Sequence, residues 1–508
     1  MTINLNGPGV SIAEVVAVAR QSAPVALTSA ATERMVAARQ IVETLAEGEP
    51  TYGVSTGFGS LATVTIPPER RAALQEALVR SHAAGMGPSV ETEVVRAMVF
   101  LRARTLAMGH SGARPIVAES LLGLINHGIH PQVPEHGSLG ASGDLAPLAH
   151  GALALLGEGE VEVDGALQPA SQALADAGLT PLQLSDKEGL ALINGTDAIL
   201  GMLCLAVHDA EVLLTTADVT AALTVEGALA TDRAFAADVM ALRPHPGQTT
   251  SAANLRALLA DSPLVASHRH DDLRVQDAYS IRCTPQVNGA ARDTLAFARS
   301  AAENELASAI DNPMVLADGR VESCGNFHAA PLGFAADFLA IALSEVGAIA
   351  ERRIDRLLDK TRSHGLPAFL ADDPGVDSGL MISHYTVAAM CAENKRLCTP
   401  ASVDSLPTSG MQEDHVSMAW GAVRKLRKVV DNLRRILAVE LVVAGRAVDL
   451  RAPIAPAAGT GAALAALRQV VVGPGPDRHL APELAEAEAL LGCDGFLAGV
   501  NEACGPLT

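Results

Sequence analysis

The sequence predicts a mainly α-helical protein built around a bundle of long helices. Of its 508 residues 49% are hydrophobic but only 3% are aromatic, so the core must consist of Ala, Leu and Val. Such a composition favours packed helices over a β-sandwich or barrel. A helix of some thirty residues is about 45 Å long, more than a compact globule needs. Four proline-free stretches with helical apolar periodicity reach about this length, at residues 197–230, 288–310, 335–360 and 415–447.

Shorter elements are expected elsewhere in the chain. Residues 11–48 and 68–126 are predicted to form helices of ordinary length joined by turns. Between them, residues 51–59 contain too much glycine for a helix interior. Residues 160–167 alternate in polarity and turn at Asp164-Gly165, which predicts a small hairpin.

Charge and cysteine content exclude several classes of function. A net charge of −20 argues against nucleic acid or an anionic membrane as the main partner. No uninterrupted apolar run approaches eighteen residues, and the N-terminus lacks a basic region followed by an apolar one, so neither a spanning helix nor a signal peptide is expected. The seven cysteines are scattered without a CxxC pair. We therefore expect reduced thiols in a cytoplasmic protein.

Polar segments between the long helices are the expected place for a functional site, because loops on a rigid scaffold carry function. They cover residues 268–286, 311–328 and 401–415. The first contains His268-Arg269-His270-Asp271-Asp272, which superficially resembles a metal cluster. Nothing else in the chain supplies a matching ligand set, so we expect a solvated loop and no metal. A basic run between Arg424 and Arg435 is interpreted as a solvated or subunit-facing surface.

The stretch with the most specific chemical potential is Gly137–Asp144, with Ala141-Ser142-Gly143 at its centre. A tight turn would let the amide nitrogen of Gly143 attack the carbonyl carbon of Ala141, since glycine permits close backbone approach. Loss of water there, and dehydration of Ser142, would give a 4-methylidene-imidazol-5-one, an electrophile. The alternative is an ordinary turn before a helix, with Asp144 in its first turn. These three residues alone favour the ordinary turn.

Eight segments, in order and spacing, resemble the aromatic amino acid lyase family, and the resemblance covers nearly the whole chain. It favours the electrophile over the ordinary turn. The segments are Thr51–Gly59, Ser81–Gly87, Gly137–His150, Ala191–Thr196, Val275–Gln286, Asp311–Pro313, Gly325–His328 and Gln412–Met418.

The resemblance implies a fold, an assembly and a reaction. We expect a smaller α/β-containing N-terminal region, residues 1–205, that carries the modified loop, and a long-helix bundle with a C-terminal helical region, residues 206–508. We expect a homotetramer whose active sites take loops from three subunits. The implied reaction is elimination of ammonia from L-histidine to give trans-urocanate, with the Ala141-Ser142-Gly143 electrophile formed autocatalytically and no external cofactor.

The resemblance also assigns roles to single residues. Tyr52 matches the general base that removes the β-proton, a role that requires stabilised phenolate because an unperturbed phenol has a pKa near 10. Arg282 is expected to bind the substrate carboxylate, which a guanidinium holds with two hydrogen bonds. Three further residues are expected to hydrogen-bond the electrophile's carbonyl oxygen or the substrate, and one aromatic residue to line the site: Asn194, Gln276 and Tyr279, and Phe327.

Substrate choice is expected to depend on His82 and Glu413. Glu413 can accept an imidazole N–H, and His82 occupies the position that sorts family members by the ring of their substrate. The sequence departs from the commonest family pattern at Ser55, Thr284 and Met411. Two alternatives stay open: a sister lyase or 2,3-aminomutase acting on another aromatic amino acid, and a catalytically silent homologue.

Overall fold

Four long helices dominate the part of the chain that the computed structural model describes, residues 2–46, 56, 66–270, 272 and 274–508. Their ends lie within five residues of the predicted ones, so the prediction of a mainly α-helical protein is confirmed. On the last of them the apolar residues that step by three and four along the sequence are all buried, as a helix facing a core requires. The four are α9 (Asp197–Gly227), α14 (Thr284–Ala307), α15 (Ala330–Leu358) and α17 (Ala419–Asp449).

Shorter helices make up most of the remaining described chain. Before residue 196 they are α1 (Ile12–Arg20), α2 (Ser29–Ala46), α3 (Arg71–His82), α4 (Thr92–Ala107), α5 (Pro115–Asn126), α6 (Leu145–Leu155), α7 (Ala170–Asp176) and α8 (Glu188–Ile193). After it they are α10 (Ala237–Ala241), α11 (Pro246–Leu258), α12 (Pro263–Ala266), α13 (Tyr279–Arg282), α16 (Met381–Leu397), α18 (Ala458–Val470), α19 (Leu480–Leu491) and α20 (Asp494–Cys504).

Short strands form small separate sheets. They are β1 (Ile3–Leu5), β2 (Val25–Leu27), β3 (Met86–Ser89), β4 (His130–Pro131), β5 (Pro134–His136), β6 (Glu160–Val163), β7 (Ala166–Pro169), β8 (Met314–Val315) and β9 (Val321–Glu322). β1 pairs in parallel with β2. The other pairs are antiparallel: β3 with β5, β6 with both β4 and β7, and β8 with β9.

The predicted hairpin is confirmed between β6 and β7. Val163 pairs with Ala166, and the two residues between them, Asp164 and Gly165, have φ values of 51° and 78°. Positive φ at both central positions is what a tight two-residue hairpin turn requires. The other strands were not predicted, because two to four residues are too few to show alternation in a sequence.

The chain forms two compact units, each assembled from three segments. The first unit comprises Met1–His208, Ala298–Asp337 and Pro400–Arg424, and the second comprises Asp209–Phe297, Phe338–Thr399 and Lys425–Thr508. The division at residue 205 that the resemblance implied stays a prediction about domains. The first unit holds the loop around Ser142, and the second holds α13.

Two long helices are long and apolar enough to span a membrane, although neither contains the uninterrupted apolar run of eighteen residues considered in the sequence analysis. In Asp197–Gly227 and Ala330–Leu358 the most apolar window has a mean hydropathy of 1.7. However, 83% and 61% of these windows are buried inside the protein. Helices that are apolar on most sides and packed within a protein core have this character, so length alone is weak support for a membrane span.

Candidate functional site

The loop before α6 is anchored to the start of α9 by one buried carboxylate. Asp144 stands at the N-cap position of α6, yet its side chain does not cap that helix. Its Oδ2 accepts the backbone N–H groups of Ala198 at 3.0 Å and Ile199 at 2.9 Å instead. Its own N–H donates to the carbonyl oxygen of Gly195 at 2.7 Å. Asp144 therefore does not act as the local cap of an ordinary turn before α6, the alternative considered above, but forms a long-range attachment that fixes the Ser142 loop against residues 195–199.

Gly143 is the point of closest backbone approach in this attachment. Its φ is 70°, and a Cβ placed on it would lie 2.1 Å from the carbonyl oxygen of Gly195. Gly140, with φ of 62°, is similarly confined, because a Cβ there would lie 2.2 Å from Oγ of Ser417, which donates to its carbonyl oxygen. Only glycine suits these two positions. The close approach around Gly143 fits a backbone that folds tightly enough for its amide to reach the carbonyl of Ala141.

Ser142 is held by a hydrogen bond whose direction can be assigned. Its Oγ donates to Oδ1 of Asn194 at 3.2 Å. The other end of that amide, Nδ2, donates to the carbonyl oxygen of Asn312 at 2.7 Å. Because a carbonyl can only accept, the amide oxygen of Asn194 must face Ser142. Asn194 is itself buried, and its backbone carbonyl oxygen accepts from Nη1 of Arg102 at 2.8 Å.

Burial shifts the pKa of the Asp144 carboxyl far from its ordinary value. Loss of hydration raises its pKa to about 7, and the nearby negative charge of Asp197 acts in the same direction. Hydrogen bonds from Ile199, Ser138 and Ala198 oppose this shift by stabilising the carboxylate. Oγ of Ser138 donates to Oδ1 of Asp144 at 3.2 Å. A carboxyl group with a pKa of about 7 therefore lies directly beside the Ala141-Ser142-Gly143 segment.

Phe327 and Glu413 lie on two segments that the structure brings together. The rings of their neighbours His328 and His415 stack with centroids 5.6 Å apart, and Nε2 of His328 donates to the carbonyl oxygen of His415 at 3.4 Å. Oε2 of Glu413 accepts the hydroxyl of Thr408 at 2.7 Å. Both Phe327 and Glu413 are half-buried, so each retains surface that a ligand could contact.

His82 ends α3 with a defined ring orientation. Its Nδ1 lies 2.9 Å from the carbonyl oxygen of Leu78 and must donate to it. In the neutral ring Nε2 is then an acceptor. The segment that follows is fixed by His150, whose Nε2 accepts the backbone N–H of Gly85 at 3.1 Å. His82 is half-buried, which leaves its ring accessible.

The remaining predicted binding residues belong to the second unit. Tyr279 begins α13 and is 71% exposed, and the guanidinium of Arg282 lies 4.6 Å from the centre of its ring. Gln276 is exposed as well. The structure thus brings Tyr279 and Arg282 together, and separately brings Ser142 and Asn194 together. Tyr52, the expected general base, lies outside the described residues.

Of the three residues that depart from the family pattern, the structure describes two, Thr284 and Met411. Ser55 lies outside the described residues. Thr284 is buried, and its Oγ1 donates to the carbonyl oxygen of Ser280 at 3.4 Å and accepts from Arg353 at 3.3 Å. Met411 is 68% exposed with φ of 71°. In the described part of the chain no three His, Cys, Asp or Glu side chains are placed to hold a metal. The lack of a metal stays a prediction.

Sequence reasoning missed the residues that support Asn194. Arg102 is buried and pairs with Asp197 at 3.2 Å, but nothing in its own helical segment marks it as special. Asn312 belongs to a segment that carried the resemblance, although no role was assigned to it. The rigid placement of that segment next to Asn194 is a long-range contact, and only the fold reveals it.

Comparison with known proteins places this geometry in a family. Residues 10–469 match the model of the aromatic amino acid lyases. The chain is 57% identical over 509 residues to a histidine ammonia-lyase of Streptomyces avermitilis, covering 100% of this chain and 99% of the relative. A tyrosine aminomutase from Streptomyces globisporus has a similar structure, with a TM-score of 0.95, 38% identity and full coverage of both chains. So does a histidine ammonia-lyase from Trypanosoma cruzi, with a TM-score of 0.92, 38% identity and coverage of 99% and 96%.

Proposed function

The chain belongs to the aromatic amino acid lyase family, and from that premise we propose that it eliminates ammonia from L-histidine to give trans-urocanate, the first step of histidine degradation. The observation that carries this proposal is the 57% identity to a histidine ammonia-lyase over the full length of both chains. The described residues of the Ser142 loop have a geometry that suits the family's chemistry. The protein is an enzyme of the lyase class.

We also propose that Ala141, Ser142 and Gly143 form a 4-methylidene-imidazol-5-one. The positive φ of Gly143 and the space of a missing Cβ against Gly195 support this, because ring closure needs a backbone folded back on itself. Once formed, the group supplies an electrophilic carbon to which the substrate adds through its amine or its imidazole. The amide oxygen of Asn194 accepts the Ser142 hydroxyl before closure, and afterwards it lies where it can accept a hydrogen bond from the substrate amine.

Proton removal and carboxylate binding are assigned to residues of this chain. Tyr52 takes the β-proton, which requires surroundings that stabilise its phenolate. Arg282 binds the substrate carboxylate through two parallel N–H groups, and its stacking on Tyr279 limits the orientations that its guanidinium can adopt. Gln276 and Tyr279 add hydrogen bonds to the substrate or to the negative charge that develops on the electrophile.

Recognition of the imidazole ring is assigned to His82 and Glu413. Nε2 of His82 is an acceptor in the neutral ring, and Glu413 is a carboxylate, so both can bind an imidazole N–H group. A phenyl or phenol ring would leave these acceptors unpaired, which discriminates strongly against it. Phe327 contributes apolar surface. It precedes His328, whose ring stacks on that of His415, two residues after Glu413.

The active enzyme is proposed to be a cytoplasmic homotetramer with composite sites. The side chains of Gln276 and Tyr279 are exposed, and the neighbouring Val275 is fully exposed, although an apolar side chain gains nothing from water. Contact with another subunit would cover these side chains. The net charge of −20 supports the expectation that neither nucleic acid nor an anionic membrane is a partner.

A 2,3-aminomutase is the second candidate. The structure of a tyrosine aminomutase is as similar as that of a histidine ammonia-lyase, at the same 38% identity. The fold therefore does not separate the two activities. His82 and Glu413 favour histidine as substrate, while the choice between releasing and re-adding ammonia depends on how long the product stays bound.

Product analysis on three substrates tests the proposal. The purified protein is incubated in parallel with L-histidine, L-tyrosine and L-phenylalanine, and arylacrylates, ammonia and β-amino acids are measured. We expect urocanate and equimolar ammonia from L-histidine alone. A β-amino acid as the main product would establish the aminomutase. The matched variant Glu413→Gln should lower turnover of L-histidine by about 10-fold or more without changing the unfolding temperature.

A further inference from the structure

A buried ion pair lies beneath Asn194. Nζ of Lys187 is 2.8 Å from Oδ2 of Asp311, and the two side chains are 0% and 1% exposed. Lys187 precedes the six-residue α8, which leads directly into Asn194. Its φ is 68°, a left-handed conformation that costs energy for a residue with a side chain. The Lys187 side chain thus points into the protein from a strained backbone conformation.

The pair is connected to Ser142 by consecutive hydrogen bonds. Oδ1 of Asp311 accepts the backbone N–H of Asn312 at 2.7 Å, and the carbonyl oxygen of Asn312 accepts from Nδ2 of Asn194 at 2.7 Å. Oδ1 of Asn194 in turn accepts from Ser142. A second contact fixes Asn312, since its Oδ1 accepts the backbone N–H of Cys324 at 2.8 Å.

Stability alone does not explain a charge pair at this position. Removing two charges from water costs about as much as their attraction returns, and a buried pair is often replaceable by apolar residues without loss of stability. What the pair does supply is direction. Asp311 accepts from the Lys187 ammonium and from the Asn312 N–H through different oxygens, which fixes the N–H end of the residue whose carbonyl oxygen accepts from Asn194.

We propose that Lys187 and Asp311 are positioning residues for the reaction, because together they orient the amide of Asn194 with its oxygen towards residue 142. Neither is proposed to touch the substrate. The inference rests on the proposed function, in which Asn194 acts at the Ser142 loop. Loss of the pair releases the Asp311 side chain and with it the N–H end of Asn312, while Cys324 still holds the Asn312 side chain. The Asn312 carbonyl then no longer fixes the amide of Asn194, which lowers turnover rather than substrate binding.

The test is a double-mutant cycle between the pair and Asn194, measured on the full-length enzyme. The pair is removed with Lys187→Met/Asp311→Asn, which leaves no buried charge unpaired and keeps an acceptor for the N–H of Asn312. It is combined with Asn194→Ala. kcat for L-histidine is divided by the fraction of chains whose intact mass has lost two waters, and KM is taken directly from the substrate dependence. Arg96→Met is the control, since Arg96 is a buried cation of the same unit that donates to the carbonyls of Val18 and Ile125.

We expect the pair variant to lower kcat by about 10-fold or more with KM nearly unchanged, the scale seen when a group that orients an active-site residue is lost. In the Asn194→Ala background the same change should have no further effect on kcat. Arg96→Met should lower the unfolding temperature and leave kcat per matured site unchanged. If the double substitution prevents folding, Lys187→Gln/Asp311→Asn, which also removes both charges but keeps a polar side chain at each position, replaces it in the cycle.

Other outcomes overturn the inference. Equal losses of kcat with and without Asn194 would mean that the pair acts independently of it, and a loss equal to that of Arg96→Met would mean a structural role only. Both require a wild-type enzyme that converts L-histidine, and so reject the inference while the proposed function stands. A wild type inactive on L-histidine would reject the proposed function, and this inference with it.

Discussion

The loop around Ser142 and the short helix α13 show opposite ways of building a site. The Ser142 loop is fixed by Asp144, Asn194 and Gly195, which are supplied by its own unit, and the hydrogen bonds that Asp144 accepts from the start of α9 are buried. In α13, Tyr279 is 71% exposed and its ring lies against the guanidinium of the neighbouring Arg282. The reacting group is therefore held by the chain itself, whereas the substrate-binding face is left open.

This difference indicates which functions each region can perform without a partner. A backbone cyclisation needs rigid surroundings, and the Ser142 loop has them within one unit. Binding a small substrate requires enclosure, which α13 lacks in the single chain. Changes in the loop should accordingly affect maturation, and changes in α13 should affect substrate binding and depend on assembly.

The largest effect is expected from Ser142→Ala. It removes the hydroxyl that would become the electrophilic carbon, so kcat should fall by about 10⁴-fold or more, the scale on which loss of a covalent catalyst acts. The size of the assembly should stay unchanged, because the loop is attached to residues 195–199 through Asp144 and not through the side chain of residue 142. Turnover near that of wild type would contradict the role of the loop.

Gly143→Ala should be nearly as damaging, for a steric reason. A Cβ would lie 2.1 Å from the carbonyl oxygen of Gly195, so the loop must move away from the position that closure needs. Intact mass should show that the chain keeps both waters. Gly165→Ala is the matched control, since Gly165 has a similar φ of 78° but no atom within 4 Å of the added Cβ. It should mature normally despite comparable backbone strain.

The buried carboxyl of Asp144 should make stability depend on pH. Its folded pKa of about 7 lies above the ordinary value of 3.8, so the folded state keeps a proton that the unfolded state releases. This contribution is complete below about pH 4 and is lost as the pH rises through 7, by about 4 kcal/mol at most. Urea unfolding of Ser142→Ala and Ser142→Ala/Asp144→Asn between pH 4 and 8 isolates it. Parallel pH profiles for the two proteins would show that Asp144 does not titrate in this range.

Arg282→Lys should weaken binding at the open region without affecting maturation. Lysine keeps the charge but loses the planar pair of donors and the stacking on Tyr279. KM for L-histidine should rise by about 10- to 100-fold while the chain still loses two waters. Arg320→Lys, which changes an exposed arginine paired with Asp318 and Glu322, should alter neither quantity.

Hybrid assemblies should show the most modest change, a recovery to a fraction of wild-type activity. Ser142→Ala and Arg282→Met chains are unfolded, mixed in equal amounts and refolded together. If a site takes residue 142 from one subunit and residue 282 from another, about one quarter of the sites regain both native residues when subunits assort at random. Each variant refolded alone is the control. An unrecovered mixture would mean that one subunit supplies both residues.

Local chemistry explains how much of this molecule was predictable. The long helices follow from apolar periodicity, and the β6–β7 hairpin follows from Asp164-Gly165, because both patterns act over neighbouring residues. The attachment of Asp144 to α9 was not predictable in this way. Its carboxylate matches a helix N-cap in sequence, but it caps a helix that begins more than fifty residues later.

The site was predictable only to the extent that its residues carried a family resemblance. Ser142, Asn194, Arg282 and Glu413 could be named from that resemblance, but their distances and exposure could not. Lys187 and Asp311 escaped detection because charged residues are usually at the surface. Their burial as a pair depends on contacts between segments 124 residues apart.

Intact mass, measured on the same wild-type sample as turnover, tests the central claim most directly. We predict a chain lighter than its sequence by two waters that releases urocanate from L-histidine, and a Ser142→Ala chain that keeps the water from residue 142 and is inactive. Wild-type protein that releases urocanate with its full sequence mass would contradict the account, because the reaction would then proceed without the Ala141-Ser142-Gly143 electrophile.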